Sequence, residues 1–428
     1  MGFFRFFDLY NQPTSEHNVS FDLTISHPVQ SKSILPTTPQ QSYCYASRIP
    51  PEIILLILES AYDDEDVESN NNKGMLRSFA LVCRDWALPA QKLLFRHASL
   101  NSLADYLAFS SATNRSTERG RVLGDAVRSM RASLDPNQPS SLSQLSFAHA
   151  VTLCPNLHAL DISLYGCVSP GNDIVGSPDT LRMRRPAPSF DEAALALLKS
   201  GPRISTLRFS NWSENRQSIT QLLSVWTTLT TLVIGGTAPE LPSPVSEPFP
   251  CALQELGINF QTCPSVDFFR WLLHNSMDTL CALEVEREPS SPDVLLYLID
   301  THCATLQSLS LPTCTRATAR VIEKCTRLHG FSVEDGGSFP LALKKLSSRV
   351  GHVGFGLNKE MSMQSVLEAV KANESLQAVT VNLWNDGKLH RQLPSLKMAC
   401  ALRGIDLRIT HDIRAFRGIV RGKHMAQK

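Results

Sequence analysis

From residue 127 to residue 407 one short phrase recurs: apolar, two arbitrary residues, apolar, one arbitrary residue, apolar. A degenerate first copy, Val127-Met130-Ala132, is followed by Leu157-Leu160-Ile162, Ile204-Leu207-Phe209, Leu229-Leu232-Ile234 and Leu253-Leu256-Ile258. The series continues as Leu280-Leu283-Val285, Leu306-Leu309-Leu311, Leu328-Phe331-Val333, Val350-Val353-Phe355, Leu376-Val379-Val381 and Leu402-Ile405-Leu407. Eight of the ten steps between first positions measure 22 to 27 residues; one of 47 contains a Pro- and Arg-rich insertion at 168–188. The last two apolar positions of each phrase stand two residues apart, the side-chain period of a strand. They therefore share one face of a short strand, and the first position packs beneath it. Amphipathic stretches at 142–153, 190–199, 219–226, 266–274, 293–302, 317–325, 341–346 and 361–371 predict helices between the strands. The connector 237–250 differs: its five prolines, at 239, 242, 244, 248 and 250, predict an extended segment.

The N-terminal part has another character. Residues 1–45 are rich in Pro, Ser, Thr and Gln without periodicity and read as a disordered tail. Pro50-Pro51-Glu52 opens a helix, since proline suits a first turn and a carboxylate complements the dipole there. Ile53, Leu56 and Ile57 keep one face of it apolar. After a polar loop at 63–72, a second helical stretch from about Met75 carries Leu76, Phe79, Ala80, Val82, Cys83 and Trp86 at three- and four-residue steps. Pro89 is expected to interrupt it before a further short helix at 90–95.

Composition narrows the function. A chain of 428 residues exceeds one ordinary core, so several units or a repeat array are expected. Hydrophobic residues at 43% and charged residues at 19% exclude wholesale disorder. Basic residues number 41 and acidic residues 40, so no global field draws the chain to nucleic acid or an acidic membrane. Eleven cysteines show neither C-x-x-C nor zinc spacing and read as free thiols of a reducing compartment. The longest aliphatic run, Ile53 to Leu58, is too short to cross a bilayer. Phosphate-loop, dinucleotide, zinc-protease and nucleophile-elbow motifs are all missing, so a non-enzyme without metal or cofactor is expected. Cys83 beside Arg84 fits a low-pKa thiol or a packed cysteine, and Gly354-Phe355-Gly356 reads as close packing on a repeat strand.

Two stretches resemble known families. Ile49-Pro50-Pro51-Glu52-Ile53-Ile54-Leu55-Leu56-Ile57-Leu58, followed by Phe79-Ala80-Leu81-Val82-Cys83-Arg84-Asp85-Trp86, resembles the F-box, with Ile49 in place of its leading leucine. The phrase and period that follow are similar to leucine-rich repeats. Together they imply an α/β fold: a disordered tail at 1–45, a three-helix F-box at 46–98, a curved repeat solenoid at 99–410 and a basic tail at 411–428. The resemblance implies a substrate-recognition subunit of an SCF-type ubiquitin ligase, located in cytoplasm or nucleus, with a Skp-type adaptor and a protein target as partners. An interaction scaffold with no ligase role is the alternative. Pro50, Pro51, Ile53, Ile57, Leu81, Val82 and Trp86 match the family positions that face the adaptor, while the bland alternative is that Ile53, Leu56, Ile57, Leu81, Val82 and Trp86 form a small internal core.

A solenoid presents its concave strand face to a target. Positions alternating with the inward pairs include Arg208, Glu255, Glu284, Glu286 and Glu334. The four glutamates predict an acidic patch, either for a basic segment of a target or as an ordinary solvated face. Arg182, Arg184 and Arg185 in the insertion are candidates to cover the concave rim or contact a phosphorylated target, or read as a mobile basic loop. Arg414, Arg417, Arg421 and Lys423 read as a localisation signal or a solubilising end.

Overall fold

Three helices begin the described residues: α1 (Pro51–Ala61), α2 (Asn70–Phe79) and α3 (Arg84–Phe95). The computed structural model describes residues 49–62, 70–166, 189–241, 247–384, 387 and 390–418. The expected tail at 1–45, the insertion with its arginines, and Arg421 and Lys423 lie outside them. Contacts divide the chain into two units, Met1–Ala98 with Leu107–Val127 and Ser99–Tyr106 with Arg128–Lys428. The first therefore takes in residues beyond the expected boundary at 98.

In the first unit, α1 buries Ile54 and Leu58, one turn apart, against Leu76, Ala80, Ala90, Leu93 and Leu94. Ile53, Leu56 and Ile57, which keep one face of α1 apolar, are all exposed, so they do not form the internal core of the bland alternative. The second helix also ends earlier than its apolar spacing implied. After α2 ends at Phe79 the chain turns over residues 80–82, and Cys83, fully extended (φ −163°, ψ 174°), is the N-cap of α3. Pro89 lies inside α3 without ending it, although its ring removes one backbone hydrogen bond. Further along, α5 (Glu118–Ala126) is capped by Thr117, whose hydroxyl accepts from the Gly120 amide. Between them lie β1 (His97–Leu100) and α4 (Leu103–Ala112).

The second unit carries the repeats. Its strands are β2 (Ser129–Leu134), β3 (Ala159–Gly166), β4 (Thr206–Ser213), β5 (Thr231–Gly236), β6 (Glu255–Phe260) and β7 (Ala282–Val285). They continue as β8 (Ser308–Leu311), β9 (Gly330–Val333), β10 (His352–Leu357), β11 (Ala378–Leu383) and β12 (Asp406–Thr410). Among the described residues twelve strands form one sheet in chain order, and neighbours from β2 to β12 pair in parallel. The register aligns the second apolar position of each phrase: Met130 with Leu160, then Leu207, Leu232, Leu256, Leu283, Leu309, Phe331, Val353 and Val379. The last phrase is corrected. Val379 aligns with Leu407 and Val381 with Ile409, two residues later than expected, and Leu402 is 81% exposed.

Each parallel pair needs a crossover. The crossovers hold α6 (Gln144–Thr152), α7 (Glu192–Ser200), α8 (Ser218–Val225), α9 (Val266–Leu273) and α10 (Pro292–His302). After these come α11 (Arg316–Ile322), α12 (Phe339–Leu343), α13 (Gln364–Ala372) and α14 (Leu393–Arg403). Ser143, Asp191, Ser265, Ser291 and Thr315 cap five of them with side-chain oxygens that accept backbone amides. The described residues of the Pro-rich connector between β5 and β6 form no helix. Strand and helix alternate through the array with the apolar strand positions packed inward, so the second unit is a parallel-strand repeat solenoid.

A threonine ties neighbouring repeats. Thr228, Thr279 and Thr305 each precede the first apolar residue of a phrase. Their hydroxyls donate to the carbonyls of Ile204, Leu253 and Leu280, the first apolar residues of the preceding repeat, at 2.9, 2.8 and 2.7 Å.

Candidate interaction surfaces

The first surface is apolar. Ile53, Leu56 and Ile57 on α1, and Leu81 and Val82 in the turn before Cys83, are all exposed, as is Pro50. Of the six residues that the bland reading put into an internal core, Trp86 alone packs on it. Its ring lies 5.6 Å from that of Phe79, tilted by 50°, and its buried indole N–H has no hydrogen-bond partner among the described residues. Trp86 thus braces the unit from inside more than it faces outward. A core of Ile54, Leu58 and their neighbours is complete without the exposed aliphatics, whose hydration costs free energy until something covers them.

The second surface is the strand face away from the inward pairs. Arg131, Asp161 and Arg208 stand in register on β2, β3 and β4, and Arg131 Nε donates to Asp161 Oδ2 at 2.9 Å. Arg208 is exposed three strands from β7, roughly 14 Å away. It is not brought to the glutamates.

Those four divide. Glu255 on β6 aligns with Ala282, and Glu284 on β7 is buried. The two flank a small cleft with Ser308, Ser310 and Arg417. Glu286 and Glu334 each lie one residue beyond the ends of β7 and β9. The registers of β7 with β8 and of β8 with β9, carried one step past the strand ends, set Pro312 between them. Arg417, 83 residues after Glu334, joins these two carboxylates. Its Nε donates to Glu334 Oε1 at 2.5 Å and its Nη1 to Glu286 Oε2 at 2.6 Å. Asn259 Nδ2 donates to the same Glu286 oxygen at 2.8 Å. Residues 413–418 are helical, and Phe416 beside Arg417 is fully buried. The reading of the described part of this tail as a solubilising end is therefore corrected: an arginine that finds two aligned carboxylates, next to a phenylalanine that finds cover, does not stay in solvent.

Beside this seat a cleft of about 300 Å³ is lined by Pro312, Glu334, Asp335, Gly336, Asn358 and Trp384. Trp384 Nε1 donates to the Glu334 carbonyl at 3.1 Å. A Cβ on Gly356 would stand 2.0 Å from that carbonyl oxygen and 2.3 Å from the indole nitrogen. Gly356 thus serves close packing, as its sequence context implied.

The nine described cysteines are free. Burial pushes the Cys263 and Cys314 thiols up to about 11 and Cys325 to about 12, which keeps them protonated and unreactive. Among the described residues no His, Cys, Asp or Glu cluster has the make-up of a metal site, and no helix is long and apolar enough to cross a membrane.

No protein-family model matches this chain, and no curated protein does. Among solved structures it is similar to the leucine-rich repeat-containing protein LegL7 from Legionella pneumophila, with 15% identity and a TM-score of 0.38 over 69% of this chain and 91% of that one.

Proposed function

We propose that this chain is a non-catalytic substrate receptor of an SCF-type ubiquitin ligase: the first unit docks on a Skp-type adaptor and the solenoid holds a protein target on its strand face. The observation that carries the reading is the split of apolar residues in the first unit. Ile54, Leu58 and Leu76 make a core, while Ile53, Ile57, Leu81 and Val82, at positions matching the adaptor-facing ones of an F-box, stay exposed. Docking covers such a patch at a gain of about 25 cal/mol per Å² of apolar surface removed from water. The strings Pro50-Pro51-Glu52-Ile53 and Leu81-Val82-Cys83-Arg84-Asp85-Trp86 add specificity that exposure alone lacks.

The test is co-expression of the full chain with a Skp-type adaptor, followed by gel filtration. A one-to-one complex is expected. Ile57→Asp with Leu81→Asp is expected to weaken it at least tenfold while leaving the melting temperature within a few degrees, because both residues lie outside the core. Absence of a complex with a folded wild-type chain defeats the reading and leaves an interaction scaffold.

A further inference from the structure

Burial changes along the sheet. On β3 and β4 buried and less buried residues alternate, but every residue of β8 to β11 is buried. Part of the cover is the chain itself, at Phe416 and Arg417. The edge of the Phe416 ring lies 3.1 Å from where a Cβ on Gly354 would stand, so glycine at this point of β10 makes room for the ring. Arg417 forks onto Glu286 and Glu334 across the strand between them. A planar guanidinium with diverging N–H groups suits two such separated carboxylates, whereas a lysine ammonium is a single point of charge. The strands beneath add small buried polar groups, Ser310 and Ser332, which hydrogen-bond each other at 2.8 Å.

We propose that the strand face over β7 to β10 is a receptor site for a protein segment carrying an aromatic residue followed by arginine, and that Phe416-Arg417 occupies it in cis until a target displaces it. This rests on the reading of the solenoid as a target-binding surface and names both the chemistry of the target and its competitor. The glutamates Glu286 and Glu334 select the guanidinium, and the space over Gly354 selects a flat ring.

Two arms test it on the full-length chain. The first is the rate of trypsin cleavage after Arg417, read by mass spectrometry. Glu286→Gln with Glu334→Gln, and separately Gly354→Ala, are expected to speed cleavage at least tenfold over wild type. The two variants act by different means, charge and volume, and cleavage at the wild-type rate in both overturns the occupancy. The second arm is fluorescence anisotropy of a labelled peptide of residues 412–418. It is expected to bind the Phe416→Ala/Arg417→Ala chain at least tenfold more tightly than wild type and to lose that binding when Glu334→Gln is added. No binding to the emptied site, or equal binding by wild type, overturns the receptor. Adaptor binding is measured in parallel. A peptide that fails while the adaptor complex forms defeats this inference alone, and a lost adaptor complex with the peptide bound defeats only the ligase assignment.

Discussion

Single residues in this protein are governed by what buries them. His302 on α10 is fully buried, and loss of solvent pushes its pKa down to about 4 from 6.5. Its imidazole is neutral when folded and protonates more easily when unfolded. The stability tied to it is complete above pH 6.5 and is lost as pH falls toward 4, by roughly 1–3 kcal/mol. Urea denaturation at pH 7 and pH 4.5 is expected to show that loss, and His302→Leu is expected to shrink it. Phe331, fully buried on β9, gives a second case: Phe331→Ala is expected to cost about 3–5 kcal/mol in the same measurement.

Elements are set by apolar period where the pattern is one-sided and by neighbours where it is not. Ten of the eleven phrases were legible because inward pairs two residues apart suit a strand buried on one face. The eleventh slipped. Helix α14 carries its buried Leu393, Leu396, Ala399 and Cys400 at three- and four-residue steps just before Leu402, and Leu402 imitates the start of a phrase. Gly404, in the left-handed conformation at φ +65°, ends that helix and sends the chain into β12. Leu402→Ser is accordingly expected to change stability by less than about 0.5 kcal/mol, while Ile405→Ala costs about 2 kcal/mol or more by denaturant titration. The threonine ties went unread as well, because a threonine before an apolar residue has no signature until the preceding repeat supplies a carbonyl. Thr305→Val is expected to cost about 1 kcal/mol.

At the scale of the whole solenoid each strand pairs only with its neighbours in chain order, so damage to one repeat stays largely local. Hydrogen exchange on the Phe331→Ala chain is expected to show amides of β8 to β10 losing protection while those of β2 to β4 keep it. The same one-dimensional order brings residues far apart in sequence to one face. Glu286 and Glu334 are neighbours across a single strand, and Arg417 reaches both.

The sequence by itself determined the repeat, its period, the inward positions and most crossover helices, because these follow from local alternation of apolar and polar residues. Tertiary structure alone decided which side of α1 faces the core: Ile53 to Leu58 is apolar all round, a run with no one-sided pattern to orient it, and packing against Leu76 and Leu93 chose Ile54 and Leu58. It alone decided that the acidic patch has an occupant, because a pairing across 83 and 131 residues leaves no periodic trace along the chain and exists only once the strands have stacked.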